Sequence, residues 1–123
     1  MYRNSDLLFV PLGGSGEIGM NANLYHYDSS WLMVDLGISF PDDSMPGINV
    51  ILPDLSFIEA RADSLAGLVL THGHEDHLGA IPYMWSRLRC PVYGSAFTLA
   101  LLRRKLAENG NKHDIPLVEM SPG

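Results

Sequence analysis

At 123 residues, with 46% hydrophobic and 18% charged side chains, the chain is one domain or less, of ordinary globular composition and long enough to bury a core. A net charge of −6 excludes a nucleic-acid binder that works by bulk electrostatics, though not an enzyme that grips nucleic acid through a local groove. No apolar run approaches the roughly 18–20 residues needed to span a bilayer. The opening Met1-Tyr2-Arg3-Asn4-Ser5-Asp6 lacks the apolar core and small-residue cleavage site of a signal peptide, so a cytoplasmic protein without membrane contact is expected.

In chain order, Leu7 to Leu12 reads as a short apolar strand stopped by Gly13-Gly14. Residues 23–28 form a second strand and Trp31 to Asp35 a third, with Asp28-Ser29-Ser30 as the hairpin turn. Residues 39–55, rich in Pro, Asp and Gly, read as an ordered loop, and Ser56 to Ala62 as a short helix. Leu65 to Leu70 is a buried strand. From Leu78 to Arg89 the apolar spacing of Leu78, Ile81, Met84 (or Trp85) and Leu88 predicts a helix. Tyr83 and Trp85 on it are expected in the core. Pro91-Val92-Tyr93 is another strand. Ser95 is placed to cap a helix running to about Asn109, with Ala96, Leu99, Leu102 and Leu106 on its buried stripe and Gly110 as the stop. Ile115 to Met120 is a last strand. Strands first, then strand and helix in alternation, predict an α/β sandwich whose strands are not all parallel. There is no internal repeat. The single cysteine, Cys90, sits among apolar neighbours and reads as a small buried hydrophobe rather than a reactive thiol.

The chemistry concentrates in Thr71-His72-Gly73-His74-Glu75-Asp76-His77, which follows the buried strand directly. Zinc favours imidazole and carboxylate ligands, and a hydrolytic site keeps one position open for water. His72 and His74, two apart, can reach one metal. Asp76 and His77, at the start of the next helix, can reach a second, about 3.5–4 Å away. Gly73 permits the tight backbone path. A surface loop that merely happens to be rich in histidine is the plain alternative. It explains poorly why three histidines and an aspartate crowd beside a core strand, where like charges repel and lose hydration unless a cation compensates.

The His-x-His-x-Asp-His pattern resembles the signature of the metallo-β-lactamase superfamily. Further stretches narrow the likeness: Gly13-Gly14-Ser15-Gly16-Glu17-Ile18-Gly19-Met20-Asn21, Val34-Asp35-Leu36-Gly37, Phe40-Pro41, Gly47-Ile48-Asn49, Pro53-Asp54, and the histidine loop continued through Leu78-Gly79-Ala80-Ile81-Pro82-Tyr83. Together these resemble the ribonuclease J family, of the β-CASP group, over the whole chain but only the N-terminal part of that family's length. The resemblance implies an α/β fold of the αββα sandwich type, of which residues 1–123 would be the N-terminal portion. It implies two zinc ions (manganese being possible), with His72 and His74 on the first and Asp76 and His77 on the second. Asp76 would also orient or deprotonate the attacking water, and Asp35 would support the histidine loop by hydrogen bonds rather than bind metal. The implied activity is hydrolysis of RNA phosphodiester bonds, from a 5′-monophosphate end and internally, by a protein that forms homo-oligomers at full length.

The family's remaining ligands and its RNA-binding insertion lie later than Gly123. His113, in the polar loop Asn109 to Asp114, matches none of them, and His26, between tyrosines, is expected as a half-buried packing residue. The 123 residues alone are therefore expected to hold metal poorly and to cleave nothing. Gly14-Ser15-Gly16-Glu17-Ile18-Gly19 also satisfies the dinucleotide-binding pattern, but a strand-like segment follows where that fingerprint needs a helix. Arg103-Arg104-Lys105 spreads around its helix and reads as a solvated face. Two other functions fit the motif: a thioester or β-lactam hydrolase using the same metal pair, or a non-catalytic metal-binding module. The absence of an export signal disfavours a β-lactamase, and the intact ligand set disfavours the module.

Overall fold

The computed structural model describes residues 2–14, 19–39, 47, 51–110 and 114–121. The centre of the glycine-rich opening, most of the Pro/Asp loop and His113 lie outside the described residues.

Three strands, β1 (Leu8–Gly13), β2 (Ala22–Tyr27) and β3 (Ser30–Val34), form an antiparallel meander. The turn between β2 and β3 holds Asp28 at φ 49° and Ser29 at φ 66°. Two successive left-handed residues match the right-handed twist of the flanking strands, which makes this a tight hairpin. From β3 onward the sheet is parallel: β3 pairs with β4 (Leu65–Val69), β4 with β5 (Val92–Gly94), and β5 with β6 (Leu117–Glu119). Among the described residues the six strands lie in sequence order, β1-β2-β3-β4-β5-β6. Helices make the parallel crossovers: α1 (Ser56–Glu59) before β4, α2 (Glu75–Leu78) and α3 (Ile81–Leu88) before β5, and α4 (Ala96–Glu108) before β6.

Alternation along the strands sends Leu24, Met33, Leu68 and Val92 into one core cluster with Ile58, Ile81, Trp85, Leu88, Leu99 and Leu102 from the helices. The opposite face carries Phe9, Tyr25 and Tyr27, which are 52%, 43% and 63% exposed. One mixed sheet with helices packed on its buried face agrees with the expected α/β class. Tyr2, His26, Trp31 and Phe57 pack edge-on or tilted against one another, and Arg61 lies over the Phe57 ring. His26 is fully buried there rather than half-buried, with Nδ1 2.8 Å from the Asp6 carbonyl oxygen.

Several expectations need correction. The helix read from Leu78 to Arg89 is two, α2 and α3, broken at Gly79-Ala80, where the Ala80 amide donates to the Leu36 carbonyl (3.1 Å). Pro82 has no amide hydrogen and therefore fits only in the first turn of a new helix. Met84 and Trp85 both take the inward stripe of α3, which leaves Tyr83 47% exposed instead of in the core. On α4 Ser95 caps as expected, its hydroxyl accepting from the Thr98 amide (3.1 Å), but Thr98, not Ala96, joins the buried stripe. The helix read over Ser56 to Ala62 stops at Glu59, and a 3-10 turn, Ala62–Ser64, follows.

Candidate metal centre

Parallel pairing of β3 with β4 brings their C-terminal ends side by side, the edge where open α/β sheets bind ligands. Asp35 follows β3 and the histidine loop follows β4. Asp35 is buried, sits at φ 65°, and donates its amide to the Val69 carbonyl (2.8 Å). A left-handed backbone at a non-glycine residue is uncommon and turns the carboxylate under the loop. Asp35 Oδ1 accepts from the Thr71 amide (2.8 Å) and Oδ2 from the Thr71 hydroxyl (2.6 Å), while His77 Nδ1 lies 2.8 Å from Oδ2.

Counting protons gives the direction of each bond. A carboxylate oxygen only accepts, so His77 donates from Nδ1, and in the neutral ring the lone pair then lies on Nε2. Thr71 has one hydroxyl proton and gives it to Asp35. The contact of 2.9 Å between Thr71 Oγ1 and His72 Nδ1 is then donated by the imidazole, which frees His72 Nε2 as well. One buried carboxylate, partly through a hydroxyl, thus sets both rings in the tautomer a metal ligand needs.

The backbone of the loop is held from the N-terminal side. Asn21 donates twice to the Asp76 carbonyl, from its amide (3.0 Å) and from Nδ2 (2.9 Å). Leu36 N–H donates to His77 O (2.8 Å) and Ile38 N–H to Glu75 O (3.0 Å). Between them a Cβ on Gly37 would fall onto the Asp76 carbonyl. The pattern Asp35-Leu36-Gly37 and the Asn21 that ends the glycine-rich opening therefore share one structural task.

The structure brings Asp35, Thr71, His72 and His77 together, with the His72 and His77 ring centroids 4.5 Å apart. Asp76 Oδ2 is 3.6 Å from His77 Nε2. His74 stands further off, its ring 6.2 Å from that of His72 and nearly parallel to it. Among the described residues no three His, Cys, Asp or Glu side chains are gathered tightly enough to enclose a cation as they stand. The donor set still fits a divalent ion in kind: three imidazoles and a carboxylate on one short loop, two of the rings engaged through Nδ1 so that Nε2 is the nitrogen left for a cation. Cys90 is buried away from this loop, and burial pushes its thiol up to about 11. Sequence reasoning assigned no role to Thr71 or Asn21, and its reading of Lys105 as part of a solvated face is corrected: Nζ reaches Glu75 Oε1 (2.5 Å). Lys105 turns inward, while Arg103 and Arg104 are solvated as expected. Thr71 could have been suspected from its place before the first histidine; a lysine 30 residues away left no local sign.

This single-faced sheet, with a histidine loop at its carboxyl edge, is the construction of a metallo-β-lactamase-type α/β domain. The sequence profile of the Metallo-beta-lactamase superfamily matches residues 16–120, and the chain belongs to that superfamily. Among curated relatives, ribonuclease J of Sinorhizobium meliloti is 41% identical over 127 aligned positions, covering 100% of this chain and 22% of the relative. Ribonuclease J of Synechocystis is 43% identical over 94% of this chain and 18% of the relative. Ribonuclease J 2 of Staphylococcus aureus is 42% identical over 85% of this chain and 19% of its own. The chain thus spans about a fifth of the length of the curated relatives it matches. Among solved structures, the chemotaxis sensor ODP, described as a peroxy diiron species, superposes with a TM-score of 0.56 over 98% of this chain and 43% of that one. At 15% identity that likeness concerns the fold alone.

Proposed function

We propose that residues 1–123 form the N-terminal portion of the catalytic domain of a ribonuclease J-type enzyme, which hydrolyses RNA phosphodiester bonds in RNA processing and decay. The observation that carries this reading is the Asp35–Thr71–His72–His77 network, which engages two imidazoles through Nδ1 and turns their Nε2 atoms to ligand duty on the loop that bears the superfamily's motif. Identities of 41–43% to ribonucleases J support RNA as substrate over a thioester or β-lactam.

In this proposal His72 and His74 hold one zinc ion, Asp76 and His77 a second, and the other ligands come from sequence outside these 123 residues. Bound divalent cations, zinc or manganese, supply Lewis-acid charge that polarises the phosphate and acidifies water. Asp76 orients the attacking water and takes its proton at a carboxylate oxygen. Asp35 binds no metal; it keeps the imidazole of His77 aligned directly and that of His72 through Thr71. We further propose 5′-to-3′ exonuclease and endonuclease action, a cytoplasmic location and homo-oligomers for the full-length protein. No helix among the described residues is long and apolar enough to cross a membrane.

Metal analysis of the full-length protein, then assay on 5′-phosphorylated RNA beside a thioester substrate, tests the reading. About two divalent ions per chain and RNA cleavage abolished by a chelator are expected. Thioester turnover without RNA cleavage, or cleavage that survives complete metal removal, would overturn it. Residues 1–123 alone are expected to bind metal weakly and to leave RNA intact.

A further inference from the structure

Helix α4 lies against the outside of the histidine loop. Leu101 packs so closely on Gly73 that a Cβ at 73 would meet its Cδ1. One turn later Lys105 places Nζ 2.5 Å from Glu75 Oε1, with side chains only 20% and 39% exposed. A cleft of ≈ 160 Å³ runs along this contact, with Gly73, Glu75, Leu101 and Lys105 on its wall and Arg104 and Glu108 at it as well. The second oxygen, Glu75 Oε2, is buried and has no hydrogen-bond partner among the described residues. A carboxylate half withdrawn from water depends on its cation. Arg104 does not substitute, because it is exposed and faces Glu108 (3.4 Å).

Glu75 stands between His74 and Asp76 in the chain, and a free carboxylate there would compete for the same cations. Its main chain is also a junction: the Glu75 carbonyl accepts from Ile38 N–H (3.0 Å) and Gly79 N–H (2.9 Å), so a shift of Glu75 displaces the first turn of α2. We propose that Lys105 is a positioning residue for the metal centre. By pairing with Glu75 it turns that carboxylate away from the imidazoles and fixes the α2 turn that bears Asp76 and His77. The inference rests on the reading of this loop as a metal centre.

The test uses the full-length protein with Lys105→Met, Lys105→Arg and the exchanged pair Glu75→Lys/Lys105→Glu. Two quantities are read: zinc affinity, by competition with a chelator, and amide hydrogen exchange at His77, Leu78 and Gly79 in the metal-free state. Lys105→Met is expected to weaken zinc binding about tenfold and to speed exchange at those amides. Lys105→Arg should retain both properties within about twofold, and the exchanged pair should recover most of the loss. Unchanged zinc affinity and unchanged exchange in Lys105→Met would overturn the inference, as would an exchanged pair no better than Lys105→Met. If the unmodified protein binds no divalent ion, the metal reading falls, and the exchange measurement still decides whether Lys105 holds the loop.

Discussion

Asp35 serves three donors with two oxygens, and substitution by asparagine exposes what that means. An amide nitrogen in place of Oδ2 would meet the Thr71 hydroxyl and His77 Nδ1–H as donor against donor. Asp35→Asn is expected to weaken zinc binding by about 10–100-fold in the full-length protein, measured by chelator competition. Cys90 makes a separate prediction. Its thiol, ordinarily at 9.0, is raised to about 11 by burial. Between those values the unfolded chain has released the proton and the folded one has not, so stability falls as pH rises from about 9 to 11. Urea midpoints across that range should decline, and Cys90→Ala should flatten the decline. At this scale the histidines were legible because their chemistry is unusual in a packed chain, and Asp35 only through the family resemblance, since a lone carboxylate at a strand end is ordinary. Thr71 and Lys105 were not, because a hydroxyl and a lysine become informative only once their partners are known.

Secondary elements were legible where a local signal decides them. Ser95 and Gly110 bracket α4 because a side-chain acceptor satisfies a first-turn amide and a glycine takes the left-handed stop at φ 62°. Ser95→Ala is expected to cost about 1 kcal/mol, and thermal melting should register a midpoint lower by a few degrees. An unchanged midpoint would mean that the cap contributes nothing. The break between α2 and α3 was missed because its cause is distant: the Leu36 carbonyl claims the Ala80 amide. Only Pro82 hinted at it.

For the molecule as a whole, helical crossovers in sequence order explain why the α/β class was readable from the alternation of patterns. How the N-terminal meander docks onto the histidine loop was not, since it depends on backbone groups that every residue shares. Gly37 sits at that docking. Its backbone is not left-handed, so Gly37→Ala tests steric space alone, and the added methyl must push the Asp76 carbonyl from Asn21. We expect a loss of about 3 kcal/mol by urea denaturation, at the upper end for overpacking.

The paired hydrogen bonds from Asn21 to the Asp76 carbonyl span 55 residues and those from Thr71 to Asp35 span 36. Chain closure over such distances costs entropy before it is rewarded. During synthesis the antiparallel pairings of β1 with β2 and β2 with β3 are available early, whereas the imidazoles can find their orientation only after residue 77 has emerged and the loop has come back to meet Asp35. Ring order at His77 therefore depends on closures between parts of the chain far apart in sequence, and it follows the local pairing of the meander.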